Sequence, residues 1–239
     1  MKKLAGFLGV LSLVALAPLA RANYQISYQL NGGAITNCAN SSNDDLATCF
    51  TSPTNIGGGV TITQLTGTSN SPGTTGEAIQ TGSVVDITTT GSGTLNLWLA
   101  AQDFTMPVTP PGLNDKGSLT VIPTSGTGTV ALTNCVDQSN GTAPPLGPFC
   151  STPAVQFNNP MITYSDTTSQ SNNVSAGISN LSAPFSLSEL VTITFSSASE
   201  IEVQTRQVLA TPEPASIMLM GSLLAGIATL IRKKAARRA

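Results

Sequence analysis

Residues 24–30 read Tyr24-Gln25-Ile26-Ser27-Tyr28-Gln29-Leu30, with large apolar residues at every even position and polar residues between them. A period of two is the pleat of a β-strand with one face buried; a helix would need apolar residues three and four apart. The same pattern returns along the chain. Val60 and Ile62 alternate with threonines, and Leu95, Leu97 and Leu99 share one face while Asn96 and Trp98 take the other. Val191, Ile193 and Phe195 alternate with Thr192 and Thr194, and Ile201 and Val203 with Glu202 and Gln204. Further strands are expected at Val84–Thr88, Leu119–Ile122, Thr129–Thr133, Ala154–Phe157 and Met161–Tyr164. Turn chemistry punctuates the series at Asn31-Gly32-Gly33, Gly57-Gly58-Gly59, Pro110-Pro111-Gly112 and Asn114-Asp115-Lys116-Gly117. The segments Thr66–Thr75 and Thr142–Pro148 are expected as surface loops. About ten short strands without an amphipathic helical stretch predict an all-β fold, a single β-sandwich, with the jelly roll as one form of it.

Composition supports strands over helices. Of 239 residues, 32 are Thr and 26 Ser, and only 9% are charged, so the Glu, Lys and Arg that favour exposed helices are scarce. The absence of His removes Ser-His-Asp and Cys-His catalysis and every His-ligated metal site.

The two ends have a different character. Lys2 and Lys3 precede the apolar run Leu4–Ala17, and Ala20-Arg21-Ala22 supplies the small-x-small pattern of signal-peptidase cleavage. Residues 1–22 are therefore expected to be a secretory signal peptide. Ala215–Ile231 is an uncharged stretch of 17 residues, followed by Arg232, Lys233, Lys234, Arg237 and Arg238. At 1.5 Å per residue such a helix reaches about 25 Å, enough for a thin hydrocarbon core. The basic cluster should stop translocation on the cytoplasmic side. Just before it stand Pro212, Glu213 and Pro214, which hold the backbone extended.

This order of Pro-Glu-Pro triplet, apolar helix and basic tail, behind an N-terminal signal, resembles the PEP-CTERM protein-sorting signal of Gram-negative bacteria. The resemblance covers Pro212 to Ala239. It implies an exosortase-like processing enzyme acting at Pro212, Glu213 and Pro214 and an inner-membrane-anchored precursor. Removal of the hydrophobic tail and delivery to the cell surface or an exopolysaccharide-rich biofilm matrix would follow. The chain then divides into a signal peptide (1–22), an exported β-sandwich (23–210) and a sorting segment (211–239).

The segment between the ends keeps two basic residues, Lys116 and Arg206, against eleven carboxylates, a net charge of −9. This argues against nucleic acid and anionic lipid as partners. All four cysteines lie here. In an oxidising compartment an even number predicts disulfides, with three possible connectivities. Cys38–Cys49 and Cys135–Cys150 are favoured, because each pair brackets a polar, turn-rich loop. No metal and no cofactor are expected: without His or CxxC spacing a zinc site is weakly supported, and the oxygen-rich loops Asn43-Asp44-Asp45 and Asp137-Gln138-Ser139-Asn140-Gly141 read more simply as Asx turns. The main functional expectation is an exported, non-catalytic surface or matrix protein. The first alternative is a carbohydrate-binding module of the matrix, using Trp98 and Phe104 as aromatic contacts, against the simpler reading that Trp98 packs in the core. The second is a surface hydrolase working through carboxylates such as Asp44-Asp45, Asp103, Glu200 and Glu202.

Overall fold

The computed structural model describes residues 23–41, 46–108, 112–165 and 167–211. The signal peptide, Asp44, Asp45 and the whole sorting segment from Pro212 onward lie outside the described residues. The described residues form fourteen strands and no helix. In chain order they are β1 (Tyr24–Leu30), β2 (Thr36–Ser41), β3 (Leu46–Phe50), β4 (Thr54–Gly57), β5 (Val60–Ser69), β6 (Glu77–Thr89) and β7 (Gly93–Phe104). There follow β8 (Leu113–Ser125), β9 (Gly128–Asp137), β10 (Pro153–Asn158), β11 (Ile162–Tyr164), β12 (Gln170–Ile178), β13 (Phe185–Phe195) and β14 (Ser199–Ala210).

Two antiparallel seven-stranded sheets make a β-sandwich. Sheet A has the order β10-β9-β13-β7-β1-β2, with β11 also on β9; sheet B has the order β12-β8-β14-β6-β5-β3, with β4 also on β5. From β6 to β9, and again from β12 to β14, successive strands belong to opposite sheets. The central pairings of both sheets therefore join strands that are not consecutive, which makes the core a long-range product of the chain. Leu95, Leu97 and Leu99 of β7 and Val191, Ile193 and Phe195 of β13 face Ile62 and Leu65 of β5, Leu119 and Val121 of β8 and Ile201 and Val203 of β14, all buried in one cluster. The alternation read in the sequence thus assigns the inner face correctly at β5, β7, β13 and β14.

Two expectations need correction. Asn114-Asp115-Lys116-Gly117 is not a turn: it is the interior of β8, hydrogen-bonded to both β12 and β14. Its turn propensity is local and is overridden by ladders on both sides. Thr66–Thr75 is only partly a loop, since Thr66–Ser69 complete β5 against β6. Glycines make that pairing possible. A side chain at Gly67 would meet the Tyr24 ring within 2.4 Å, so the bare backbone there lets the fully buried Tyr24 cross the core. Its hydroxyl donates to the Thr81 carbonyl at 3.0 Å.

Candidate functional site

The strand register sets out the exposed face of sheet B. Inward-facing Leu119, Val121, Val203, Thr205 and Gln207 alternate with residues that face outward. Asn173, Ser118, Arg206, Thr81 and Thr68 align in one row across β12, β8, β14, β6 and β5. The next row is Ser171, Thr120, Gln204, Ser83 and Thr66. At the strand spacing of sheets, a row of five spans about 19 Å. Both rows carry hydroxyls, amides and one guanidinium, and no aromatic ring. Thr68 and Thr81 share a hydrogen bond between their hydroxyls at 2.5 Å, and Ser118 Oγ donates to the Arg206 carbonyl at 3.3 Å.

Two depressions lie side by side on this face. One, of about 480 Å³, is lined by Glu77, Lys116, Ser118, Asn173 and Arg206 among others. The second, of about 330 Å³, is lined by Thr81, Ser83, Thr120, Gln204 and Arg206. Ser118 and Arg206 belong to both, so the two form one groove. Lys116 opposes Val208, two residues from Arg206, which makes the two cations diagonal neighbours on adjacent strands. Both are exposed, and neither forms an ion pair among the described residues.

The outer face of sheet A is covered instead. Trp98 does lie opposite the leucines, but it is only 7% exposed. Ala143, Phe149 and Ile35 pack over it, so the segment between β9 and β10 forms a lid on the sheet. Gln25 clamps that lid: its amide nitrogen donates to the carbonyls of Ala143 (2.9 Å) and Pro144 (3.2 Å), and its oxygen accepts from the Ala143 N–H (3.1 Å). Asn140 and Asp103 bind each other reciprocally at 2.8 Å. The Asp137 carboxylate ties the two ends of the lid, accepting from the N–H and hydroxyl of Ser139, the N–H and hydroxyl of Ser151, and the N–H of Thr152, at 2.7–3.1 Å. Burial alone would raise its pKa; the Ser139 and Ser151 donors outweigh that and hold it below the usual value. A carboxylate this fully occupied by protein donors is an Asx cap, as its sequence context suggested. Cys135–Cys150 fastens the same lid to β9, and Cys38–Cys49 joins β2 to β3, with Cα separations of 5.9 and 5.3 Å; the favoured pairing is the one present.

Phe104 must be corrected as a glycan contact. It is fully buried, stacked on Phe185 at 5.6 Å between ring centroids. The chain bends at Asp103 (φ 62°), which turns Phe104 inward. With Trp98 under its lid, the aromatic platform expected at these two positions is not exposed.

No protein-family model matches the chain, and no curated protein does. Among solved structures, the chain is similar to TmCBM61, solved with β-1,4-galactotriose (TM-score 0.30, 8% identity, 60% of this chain and 86% of that one). It is similar as well to the family 11 carbohydrate-binding module of Clostridium thermocellum (TM-score 0.30, 9% identity, 62% and 89%). A third is the CBM22-2 xylan-binding domain of Paenibacillus barcinonensis Xyn10C (TM-score 0.30, 11% identity, 77% and 91%).

The interior contains a third polar cluster, which the sequence did not announce. Glu189 of β13 and Asp115 of β8 are fully buried between the sheets. Thr205 Oγ1 donates to Glu189 Oε2 at 2.6 Å, and Gln207 Nε2 donates to Asp115 Oδ2 at 2.7 Å and to the Cys135 carbonyl at 3.1 Å. Burial pushes Asp115 up to about 7, against the bonds from Gln207 and the Lys116 N–H. Burial pushes Glu189 up to about 8, against bonds from Thr205 and Gln80, with the Asp115 charge adding to the rise.

Of the carboxylates considered for hydrolysis, Asp44 and Asp45 lie outside the described residues, and two of the others are held by amide side chains. Asp103 is engaged by Asn140, and Glu202 accepts from Gln204 at 2.6 Å. Among the described residues no group of three or more Cys, Asp or Glu is placed to hold a metal ion. The groove residues were within reach of the sequence. Counting in twos from Leu119 and Val203 puts Lys116 and Arg206 outward, but only the register makes them neighbours.

Proposed function

We propose that this protein is an exported, non-catalytic surface protein that binds polysaccharide along the outer face of sheet B. The observation that supports this reading is the groove itself: two rows of hydroxyl and amide side chains, five strands wide, on a face that the other described residues leave open. Sugar hydroxyls are matched by such donors and acceptors at low desolvation cost, and repeated rows suit a repeating ligand. The first and last segments fit this role as addresses. An N-terminal signal at 1–22 would export the domain, and Pro212, Glu213 and Pro214 before the apolar run and basic tail would route it to the cell surface through an exosortase-like enzyme. The exopolysaccharide of a biofilm matrix is the partner class this route suggests.

Binding is tested by affinity electrophoresis of the full-length protein in gels containing soluble xylan, dextran or polygalacturonate. At least one polysaccharide should retard it, and the double variant Ser118→Ala/Gln204→Ala should lose about tenfold in affinity, as expected for two lost hydrogen bonds of roughly 0.7 kcal/mol each. Equal mobility in every gel would refute the reading.

The routing makes a separate prediction. Protein recovered from the cell surface should begin at Asn23 and lack the basic tail, as read by N-terminal sequencing and intact mass. Glu213→Ala should leave an uncut, membrane-retained precursor with the domain still folded. Surface protein that keeps Arg232–Arg238 would reduce the triplet to a connector before a plain membrane anchor.

A further inference from the structure

The two cations of residues 23–211 are not scattered over the surface. Lys116 and Arg206 are diagonal neighbours on β8 and β14, both exposed, both lining the same depression. Every other charged side chain of residues 23–211 is acidic, and the segment between the terminal regions carries a net charge of −9. A domain so acidic repels polyanions at long range, so any anion it takes must be held by local contacts. Lys116 and Arg206 supply the means: an ammonium beside a planar guanidinium, which matches a carboxylate through two parallel N–H bonds. Glu77 bounds the groove at one end. Toward the other end Glu202 stands four residues from Arg206 along β14, about 13 Å at the rise of a strand, beyond reach of an ion pair with it. Hydroxyl and amide side chains flank the pair on both sides, with Asn173 and Ser118 before Arg206 in its row and Thr81 and Thr68 after it.

We infer that this groove selects an acidic polysaccharide, with the carboxylate of a uronic-acid unit held between Lys116 and Arg206 and the neighbouring sugars lying along the hydroxyl rows. The inference rests on the polysaccharide-binding reading and narrows its ligand class. Ring stacking takes no part in it, because no aromatic side chain is placed in these rows. Recognition by charge and hydrogen bonds predicts a ligand sensitive to salt and to esterification.

The experiment compares polygalacturonate with its methyl ester, which keeps the backbone and removes the charge, using the full-length protein, Arg206→Gln, Lys116→Gln and the double variant. Dextran and dextran sulfate serve as second probes. The wild type should bind the acid about tenfold more tightly than the ester, and Arg206→Gln should remove most of that preference, the size expected for one bidentate charge-assisted pair. Lys116→Gln should weaken it less, and the double variant should bind acid and ester alike. The basic residues outside this face are identical in all four proteins, so the difference between them reports the groove. Unchanged preference in the double variant, or equal binding of acid and ester by the wild type, overturns the inference while leaving polysaccharide binding intact. Preference for dextran sulfate with indifference to polygalacturonate overturns the carboxylate assignment. Failure to bind any of these polymers overturns both readings together.

Discussion

Raising the pH from about 5 to about 9 should lower the melting temperature of this protein by roughly 10–20 °C, with the loss running from about pH 5 to about pH 8 and little change above that. The cause is the pair of acids in the core. Asp115 rises from its ordinary value of 3.8 to about 7, and Glu189 from 4.5 to about 8. A carboxyl whose pKa is higher in the folded state favours folding while it is protonated. That contribution is complete below the unfolded value near 4 and is lost as pH climbs through the folded value. Taken alone over this range, Asp115 is worth on the order of 3 kcal/mol and Glu189 on the order of 4, and less when both ionise together. The hydrogen bonds agree with two neutral acids. Four buried oxygens of this region have no donor: Asp115 Oδ1, Glu189 Oε1, Asn134 Oδ1 and Gln207 Oε1. Two are carboxyl oxygens and two are amide oxygens, so two acid protons would supply the O–H donors that the region lacks. The window is clean, because the chain has no His, and Asp137, which is shifted downward, loses its contribution only at lower pH. Thermal melts across this range are the test. The double variant Asp115→Asn/Glu189→Gln, which keeps the hydrogen-bonding shape without the charge, should melt at nearly the same temperature throughout. A wild-type melting temperature that is constant or rises from pH 5 to 9 would sink the argument, as would an equal slope in the double variant.

Asp137→Ala should open the lid over Trp98. The substitution removes the acceptor of five hydrogen bonds and leaves the N–H groups of Ser139, Ser151 and Thr152 without their partner. The expected cost is about 2–4 kcal/mol, a melting-temperature drop of roughly 5–10 °C. The Cys135–Cys150 bridge and the Gln25 clamp remain, so the sandwich itself should persist. Trp98 is the sole tryptophan and is 7% exposed, so its fluorescence reports the lid directly. The variant should emit at longer wavelength and be quenched more strongly by acrylamide. A variant with unchanged emission and quenching would mean that Gln25 and Asn140 hold the lid without Asp137. The same variant should leave polysaccharide retardation unchanged, since the lid and the groove are on opposite sheets.

Local pattern was enough for what is local. The period-two runs at 24–30, 95–99, 191–195 and 201–204 assign strands and their buried faces, because a half-buried strand needs no information beyond its own side chains to divide itself between core and solvent. The absence of His excludes whole classes of chemistry. Cysteine pairing followed from sequence separations of 11 and 15 across turn-rich segments, where short separation makes the partner a near neighbour. The proposed export and sorting roles of the ends, from Lys2 to Ala22 and from Pro212 to Ala239, rest on linear pattern alone.

What the sequence alone left open depends on which strands meet. Trp98 could be placed on the face opposite the leucines, but not under a lid contributed by Ala143 and Phe149, 45 and 51 positions later. Phe104 read as a candidate sugar contact, until the bend at Asp103 and its stacking on Phe185 placed it in the core. Asn114–Gly117 carries every local mark of a turn and is a central strand, because ladders on both sides outweigh its propensity. Asp115 and Glu189 are 74 positions apart, and nothing near either one reveals that the two sheets enclose both in one unsolvated space. Lys116 and Arg206 likewise become neighbours only through the β8–β14 register. Side-chain alternation is a property of single strands and is written in them; adjacency between strands is a property of loop closure and sheet packing over the whole chain, and only the folded structure decides it.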